Sequence, residues 1–152
     1  MTYLKVGKYW RYLAVVMDRY TRRILGWSYS KHRDARLTLR ALSRAVRQRE
    51  GSIPEVFHSD RGVEYLSYRY RQRLSRLGIE QSVNRPRRMN DNAHVESFFG
   101  SLKADWYHGQ QYLSDNKLRD TVRSYMEFYN HQRLHTALGL RTPVDFEAKD
   151  AT

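Results

Sequence analysis

The segment Leu13-Ala14-Val15-Val16-Met17 constrains the fold most, because it is apolar on both faces of an extended chain. Such a strand is buried on both sides, which indicates a central strand of a sheet that helices cover on each face. The strand is predicted over residues 12–17. Two further strands, at 2–6 and 24–30, are separated from it by turns at 7–8 and 18–23. We therefore expect a three-stranded meander at the start of the chain.

Helices are predicted where apolar residues recur at helical spacing. They span residues 34–46, 65–77, about 92–106, and 114–128. Asp34 and Ser114 are expected to cap the first and last of these helices. Gly78 should end the second helix in a left-handed conformation, and a short strand at 79–83 should follow.

Two acidic residues stand in settings that suit chemistry. Asp60, in His58-Ser59-Asp60-Arg61-Gly62, follows the apolar pair Val56-Phe57 and precedes an Arg-Gly turn. It should therefore lie at the C-terminal end of a short buried strand. Glu96 lies on the third predicted helix, and 35 residues separate it from Asp60. That interval leaves room for a helix, an edge strand and a basic loop, so the two carboxylates can meet in space.

One face of the third helix carries Asn92, Glu96, Gly100 and Lys103. A glutamate, a residue without a side chain and a lysine in one row describe a surface that a nucleic-acid backbone can approach closely. Taken without its sequence context, the same row describes an ordinary solvated helix face.

The charge balance favours a polyanionic partner. Lys and Arg total 28 against 16 Asp and Glu, which gives a formal net charge of +12 and a pI near 10.2. The absence of cysteine excludes disulfides and thiolate zinc sites. No apolar run reaches 18 residues and the start lacks a signal-peptide pattern, so we expect a cytoplasmic, nucleoid-associated protein without a membrane partner. The 12 Tyr and 3 Trp are interpreted mostly as core and helix packing.

The sequences around Asp60 and Glu96 resemble the catalytic core of insertion-sequence transposases and retroviral integrases, the Asp, Asp, Glu recombinases. The second Asp of that family matches Asp60, its Glu matches Glu96, and the basic residue seven positions later matches Lys103. The tail at 129–147 has the family's YN, R, H, LG and P in the same order. The resemblance covers essentially the whole chain. It implies a single domain over residues 1–152 with an α/β, ribonuclease-H-like fold: a mixed five-stranded sheet flanked by helices.

The resemblance also implies metal-dependent phosphodiester cleavage and strand transfer during DNA integration. Two Mg²⁺ or Mn²⁺ ions held by carboxylates would serve this chemistry, and Asp60 and Glu96 are the ligands expected here. Element ends and target DNA are the implied partners, bound by a homo-oligomer. The side chains expected to contact DNA are Lys103, Arg85, Arg87, Arg88 and Asn92.

The family's first Asp has no counterpart in the sequence. Met1-Thr2-Tyr3-Leu4 matches the family's first strand from its second letter, so that Asp would stand immediately before Met1. We expect the chain to begin just inside this strand and to lack a helix-turn-helix domain. Asp18 is expected to lie too far along the second strand to replace the missing Asp, and to cap the turn at 18–23 instead.

Two other functions remain open. The chain could be a catalytically inactive DNA-binding fragment that acts as a partner or regulator of intact transposase, or it could be a hydrolytic nuclease of the same fold. A zinc site at His131 and His135 is disfavoured because no third ligand stands at a suitable spacing. Asn130, Arg133 and His135 are expected to make structural hydrogen bonds or to touch DNA phosphates.

Overall fold

A computed structural model describes residues 1–86 and 92–150. In chain order the strands and helices are β1 (Thr2–Val6), β2 (Tyr9–Met17), β3 (Ile24–Ser30), α1 (Ala35–Gln48), β4 (Val56–Ser59), α2 (Val63–Leu66), α3 (Tyr68–Arg76), β5 (Glu80–Val83), α4 (Ala93–Leu102), α5 (Asp115–His131) and α6 (Pro143–Asp150). A π-helical turn, Lys103–Tyr107, continues α4, and a 3₁₀ turn, Thr136–Leu138, precedes α6.

The first three strands form the predicted antiparallel meander, in the order β1-β2-β3. Thr2 lies opposite Leu13 and Val6 lies opposite Tyr9, on either side of the turn at Gly7. Gly7 adopts a φ of +55°, in the left-handed region that glycine occupies without strain. Strand β2 begins at Tyr9, earlier than predicted, because it pairs with β1 up to that turn.

Strand β2 is covered on both faces, as its apolar run predicts. Successive side chains of a strand point to opposite faces, so Leu13 and Val15 share one face and Ala14 lies on the other. Ala14 packs with Leu37 and Ala41 of α1. The opposite face forms the main core with α4 and α5; its buried residues include Leu4, Leu13, Val15, Phe98, Leu102, Leu118, Val122 and Tyr125.

Helix α1 lies very close to β3 at Gly26. A Cβ atom placed on Gly26 would stand 2.3 Å from the carbonyl oxygen of Ala41 and 2.6 Å from the backbone nitrogen of Ala45. Both are backbone atoms of α1, so neither can rotate away. The absence of a side chain at residue 26 therefore sets how closely this helix approaches the sheet.

Strands β4 and β5 pair in parallel, with α2 and α3 between them in sequence. The single helix predicted over 65–77 is divided at Ser67, which has an extended backbone and caps α3 by accepting a hydrogen bond from the Tyr70 N–H at 3.3 Å. Gly78 has a φ of +71°, which confirms its left-handed conformation. Asp34 and Ser114 accept hydrogen bonds from Leu37 and Lys117, which confirms both caps.

The prediction of one five-stranded sheet is wrong for the described residues, which form a three-stranded and a two-stranded sheet. Backbone groups along the outer edge of β1 make hydrogen bonds to the segment after α4. The Lys5 N–H donates to the Tyr107 hydroxyl at 2.7 Å, and the Gly7 N–H donates to the Tyr112 carbonyl, also at 2.7 Å. These contacts with the segment after α4 occupy backbone groups that a further strand would need. The α/β character of the prediction is confirmed.

Asp115, in the first turn of α5, ties that helix to the first sheet. It accepts two hydrogen bonds from Arg11, at 2.5 and 2.9 Å, and one from the Tyr29 hydroxyl at 2.8 Å. Arg11 is only 8% exposed, so the Asp115 carboxylate is needed to offset the cost of burying its charge. The Arg11 guanidinium lowers the pKa of the Asp115 carboxyl, and the Tyr29 hydroxyl adds to the effect.

Replacement of Gly26 by alanine should destabilise the fold, because the new methyl group would overlap backbone atoms of α1. We expect the free energy of unfolding to fall by about 3 kcal/mol, measured by urea denaturation. Gly100→Ala is the matched control, since no atom lies within 4 Å of a Cβ at that helical position. This control should raise the free energy of unfolding by about 0.5–1 kcal/mol. Equal stability of the two variants would contradict the close approach at Gly26.

Replacement of Asp115 by asparagine should lower the free energy of unfolding at pH 7 by about 2 kcal/mol, because Arg11 would lose its ionic partner. The folded-state pKa of Asp115 is lowered from 3.8. Its stabilising contribution is therefore fully present above about pH 4 and is lost as the pH falls further. Unfolding measured from pH 7 to pH 2 should show the two proteins converging below pH 4. A constant difference across that range would exclude the carboxylate as the cause.

Candidate active site

A cavity of about 840 Å³ adjoins both sheets, and Asp60 and Glu96 both line it. Met1, His94 and Asn92 also contribute to its wall. The structure thus brings to one cavity the two acidic residues that 35 intervening residues separate in the sequence. Their catalytic and metal-binding roles remain predictions.

Asp60 directly follows β4, as predicted, and is half-buried. The strand is less buried than predicted, since Val56 is 51% exposed. Its Oδ1 accepts a hydrogen bond from the Gly62 N–H at 2.7 Å. Its other carboxylate oxygen has no hydrogen bond to the residues that the structure describes. A Cβ atom on Gly62 would stand 2.8 Å from Asp60 Oδ1 and 2.8 Å from Glu64 Oε2, so a side chain at this position would displace these carboxylates.

His58 fixes the strand that carries Asp60. Its Nδ1 lies 2.9 Å from the Ser82 hydroxyl, and its Nε2 lies 2.7 Å from Asn84 Oδ1. Arg61 adds a hydrogen bond from its Nε to the Asn84 carbonyl at 2.9 Å. These side chains tie both ends of the His58–Gly62 motif to β5 and the residue after it. The motif thus positions its aspartate through contacts made by its neighbours.

Glu96 lies in the first turn of α4 with an exposed side chain. Within residues 1–86 and 92–150 its carboxylate makes no hydrogen bond and no salt bridge. Helix α4 is anchored underneath by Phe98, Phe99 and Leu102, which are buried in the main core. The core therefore fixes the helix while leaving the Glu96 carboxylate open towards the cavity.

The backbone nitrogen of Met1 is buried close to two acidic side chains. Burial lowers the pKa of the Met1 amino group, while the negative charges of Asp60 and Glu64 act to raise it. The start of β1 therefore lies beside the turn that carries Asp60.

Glu64 is a buried acid that the sequence analysis missed. It is 3% exposed, and its Oε1 accepts a hydrogen bond from Arg33 Nε at 2.5 Å. Its Oε2 is buried without a hydrogen bond among the described residues. A lone glutamate in a short helix is typical of a solvated surface, so the sequence carries no local signal of this burial.

His94 is a second residue at the cavity that the sequence analysis did not single out. Burial lowers the pKa of its imidazole, and the nearby Arg22 and Arg19 lower it further. Arg19, in the turn after β2, lines the same cavity. The lowered pKa favours the uncharged form of the His94 imidazole. Its place between Asn92 and Glu96 gave no signal in the sequence, because residues two apart on a helix do not share a face.

Asp18 lines the cavity as well, but its carboxylate is engaged in holding a turn. Its Oδ1 accepts hydrogen bonds from the Tyr20 and Thr21 N–H groups, both at 2.9 Å, and its Oδ2 pairs with Arg49 at 2.5 Å. Arg49 also pairs with Glu147 of α6. This confirms that Asp18 caps the turn.

The residues predicted to contact DNA are distributed unevenly. Asn92 lines the cavity. Lys103 lies at the end of α4, with its Nζ 4.9 Å from the centre of the Tyr3 ring, and partial burial lowers the pKa of its ammonium group. Arg85 is exposed and makes contacts of its own. Arg87 and Arg88 lie outside the described residues.

The histidines and polar residues of the tail make structural contacts. Asn130 exchanges two hydrogen bonds with the backbone of Ile24, both at 2.9 Å, and so joins α5 to β3. Arg133 donates to Ser101 of α4 at 3.3 Å and lies 3.3 Å from His135 Nδ1. His131 instead lies 3.5 Å from Glu127. Among the described residues, no three histidine or acidic side chains converge in a geometry for a metal ion.

Within the described part of the chain, no helix combines the length and apolar character needed to span a bilayer.

Comparison with known families agrees with the resemblance inferred from the motifs. One family profile, described as an integrase core domain, matches residues 1–89. A second profile with the same description matches residues 77–143.

Curated proteins with similar sequences include transposases. The chain is 39% identical over 151 residues to transposase InsF for insertion sequence IS3A of Escherichia coli strain K12, covering 99% of this chain and 52% of InsF. It is 34% identical over 150 residues to an uncharacterized 31 kDa protein of insertion element IS600 from Shigella sonnei, covering 98% and 55% of the two chains. The chain thus spans about half the length of these relatives.

Solved structures with the same fold include retroviral integrases. The trimeric form of the HTLV-2 integrase catalytic core domain in complex with magnesium superposes with a TM-score of 0.73 at 18% identity, covering 95% of this chain and 90% of that one. A chain of the simian T-cell lymphotropic virus intasome in complex with PP2A regulatory subunit B56 gamma superposes with a TM-score of 0.80 at 20% identity, covering 95% of this chain and 51% of that one. These superpositions confirm the ribonuclease-H-like fold. Since one profile covers more than half of its 152 residues, the chain belongs to the integrase core domain family.

Proposed function

We propose that this chain is the catalytic core of a DNA transposase, which carries out metal-dependent phosphodiester cleavage and strand transfer with Asp60 and Glu96 as its carboxylates. The observation that carries the proposal is that these two side chains line one cavity. The similarity to a transposase of insertion sequence IS3A supports the choice of reaction. The magnesium in the similar HTLV-2 integrase core supports the choice of metal.

The two carboxylates suit a divalent cation. Mg²⁺ and Mn²⁺ prefer hard oxygen ligands, and Mg²⁺ is commonly held by one or two carboxylates with water in its other positions. Glu96 and one oxygen of Asp60 have no partner among the described residues, although the chain carries a formal net charge of +12. When bound, the metal would offset the charge on the reacting phosphoryl group and activate the attacking oxygen.

The remaining residues of the site would bind and position DNA. Phosphate contacts by Lys103, Arg85, Arg87 and Arg88 supply affinity without sequence information, so binding should weaken steeply as salt increases. Asn92, at the start of α4, would donate a hydrogen bond from its side-chain amide to the DNA strand that lies beside Glu96. Gly100 lies between Glu96 and Lys103 with open space around it, which permits close approach of a backbone.

An acidic residue directly before Met1 would complete the site. In the register of β1 and β2, Thr2 lies opposite Leu13. The position directly before Met1, two residues earlier than Thr2, would therefore face Val15. Met1 itself lines the same cavity as Asp60. An aspartate at this point would therefore stand beside Asp60, whereas Asp18 lies three residues further along and is held in its turn.

We propose further that residues 1–152 by themselves bind DNA but join it poorly. The working form would be a homo-oligomer on element ends and target DNA, in the cytoplasm at the nucleoid. HTLV-2 integrase cores are themselves described in trimeric and dimeric forms.

A joining assay with a pre-cut element-end duplex, a target plasmid and Mn²⁺ tests the proposal. We compare residues 1–152 with a version that carries an upstream strand ending in Asp directly before Met1. The extended form should join at least about a hundredfold faster, because the third carboxylate fixes the metal at the phosphate. In the extended form, Asp60→Asn and Glu96→Gln should each lower the rate by a similar factor.

Glu127→Gln is the matched control, because Glu127 is an exposed acid on α5, with 72% of its side chain accessible. It should leave the joining rate unchanged. If the extended form binds DNA but neither cuts nor joins it, the chain acts as an inactive DNA-binding partner of transposase. If it cuts without joining, the chain is a hydrolytic nuclease. Either result would contradict the proposed reaction.

A further inference from the structure

Two aromatic rings lie exposed side by side on one face of the β1–β2 hairpin. Tyr3 is 57% exposed and Trp10 is 49% exposed. Their ring centres stand 5.1 Å apart with the ring planes at 84°. The aromatic residues are expected mostly to pack in the core and between helices, but these two rings lie outside the buried clusters that the described residues form. Helix α1 covers this face of the sheet over Ala14 and leaves the end with the two rings open.

A lysine accompanies each ring. Lys5 lies opposite Trp10 in the strand pairing, with its Nζ 5.5 Å from the centre of that ring. The Nζ of Lys103 lies 4.9 Å from the centre of the Tyr3 ring. We call these four residues the Tyr3–Trp10 surface. Exposed rings next to ammonium groups match what single-stranded nucleic acid requires, because bases stack on the rings and phosphates pair with the cations.

The Tyr3–Trp10 surface is continuous with the cavity along two elements. Met1 lines the cavity, and Tyr3 lies two residues further along the same face of β1, a rise of about 7 Å. Glu96 lines the cavity, and Lys103 lies seven residues further along α4 and its continuation, a rise of about 10 Å. Both elements lead away from the cavity and meet where Lys103 contacts Tyr3. A strand bound at the cavity can therefore continue onto the exposed rings.

We propose that the Tyr3–Trp10 surface binds unpaired nucleotides of a DNA strand whose adjoining phosphodiester lies at the cavity. This inference rests on the proposed function, since it takes DNA as the substrate. Unpaired nucleotides are the fitting ligand because base pairing and stacking in a duplex hide the base faces from an aromatic side chain. A second copy of the chain fits this surface less well, because two such surfaces, each carrying Lys5 and Lys103, would repel one another.

The test measures binding of residues 1–152 to two labelled DNAs by fluorescence anisotropy. One is a blunt duplex, and the other is the same duplex with an unpaired single-stranded end of about five nucleotides. Tyr3→Ala and Trp10→Ala should each weaken binding of the second DNA by about tenfold and binding of the blunt duplex by less than about twofold. Tyr68→Ala is the matched control, because Tyr68 is 71% exposed on α3, away from this surface. It should change neither affinity.

Trp10 also provides a direct optical signal. Trp10 is exposed, whereas the other two tryptophans, Trp27 and Trp106, are half-buried. A base stacked on Trp10 should quench tryptophan fluorescence when the DNA with the unpaired end is added. Trp10→Phe should keep the affinity within about threefold and lose most of this quenching, because phenylalanine can still stack a base.

Other outcomes separate the possible failures. Equal losses on both DNAs would show that the rings affect duplex binding in general and would overturn the inference. Unchanged affinities in the two alanine variants, together with a smaller assembly in sedimentation, would identify the surface as an interface between copies and would also overturn it. If the unaltered chain binds neither DNA, the proposed function itself fails.

Discussion

The burial of β2 on both faces is the constraint on which the rest of the structure depends. Its alternating side chains meet α1 on one side and the core formed with α4 and α5 on the other. Each of those packings has a functional consequence. The close approach at Gly26 fixes α1 against β3. The burial of Phe98 and Leu102 in the core fixes α4, the helix that carries Glu96. Helix α4 is thus held by its apolar side, which leaves its polar side open.

The acidic residues at and near the cavity differ in whether they have a basic partner. Asp18 and Glu64 are acids near the cavity, but each already has a basic partner, Arg49 and Arg33. Asp60 and Glu96 differ, since neither carries a salt bridge within the described residues. Uncompensated carboxylates in a strongly basic protein are electrostatically suited to a divalent cation, and the surrounding lysines and arginines are suited to phosphate. The same charge distribution thus favours a metal at the cavity and DNA around it.

Much of this could be predicted from the sequence wherever the cause is local. The caps at Asp34 and Ser114, the left-handed Gly78 and the two-sided burial of Leu13 to Val15 all follow from the chemistry of a few adjacent residues. Asp60 and Glu96 were identified because their flanking residues resemble a known family. That resemblance indicates which distant residues come together, which local patterns cannot do.

What could not be predicted depends on residues distant in sequence. The division of the sheet involves contacts of Lys5 and Gly7 with Tyr107 and Tyr112, about 100 residues away. The burial of Glu64 depends on its contact with Arg33. The exposure of Tyr3 and Trp10 depends on how far α1 extends over this face of the sheet. Composition places an aromatic ring in a core by default, and only the assembled sheet shows which rings remain outside.

The most direct measurement of the central claim is a titration of Mn²⁺ into four proteins: the unaltered chain, Asp60→Asn, Glu96→Gln and the double variant. If both carboxylates hold one ion, each single substitution should weaken binding by about tenfold or more, and the double variant should lose far less than the product of the two effects. If Mn²⁺ affinity is the same in all four proteins, Asp60 and Glu96 share a cavity but not a metal, and the account of this site is wrong.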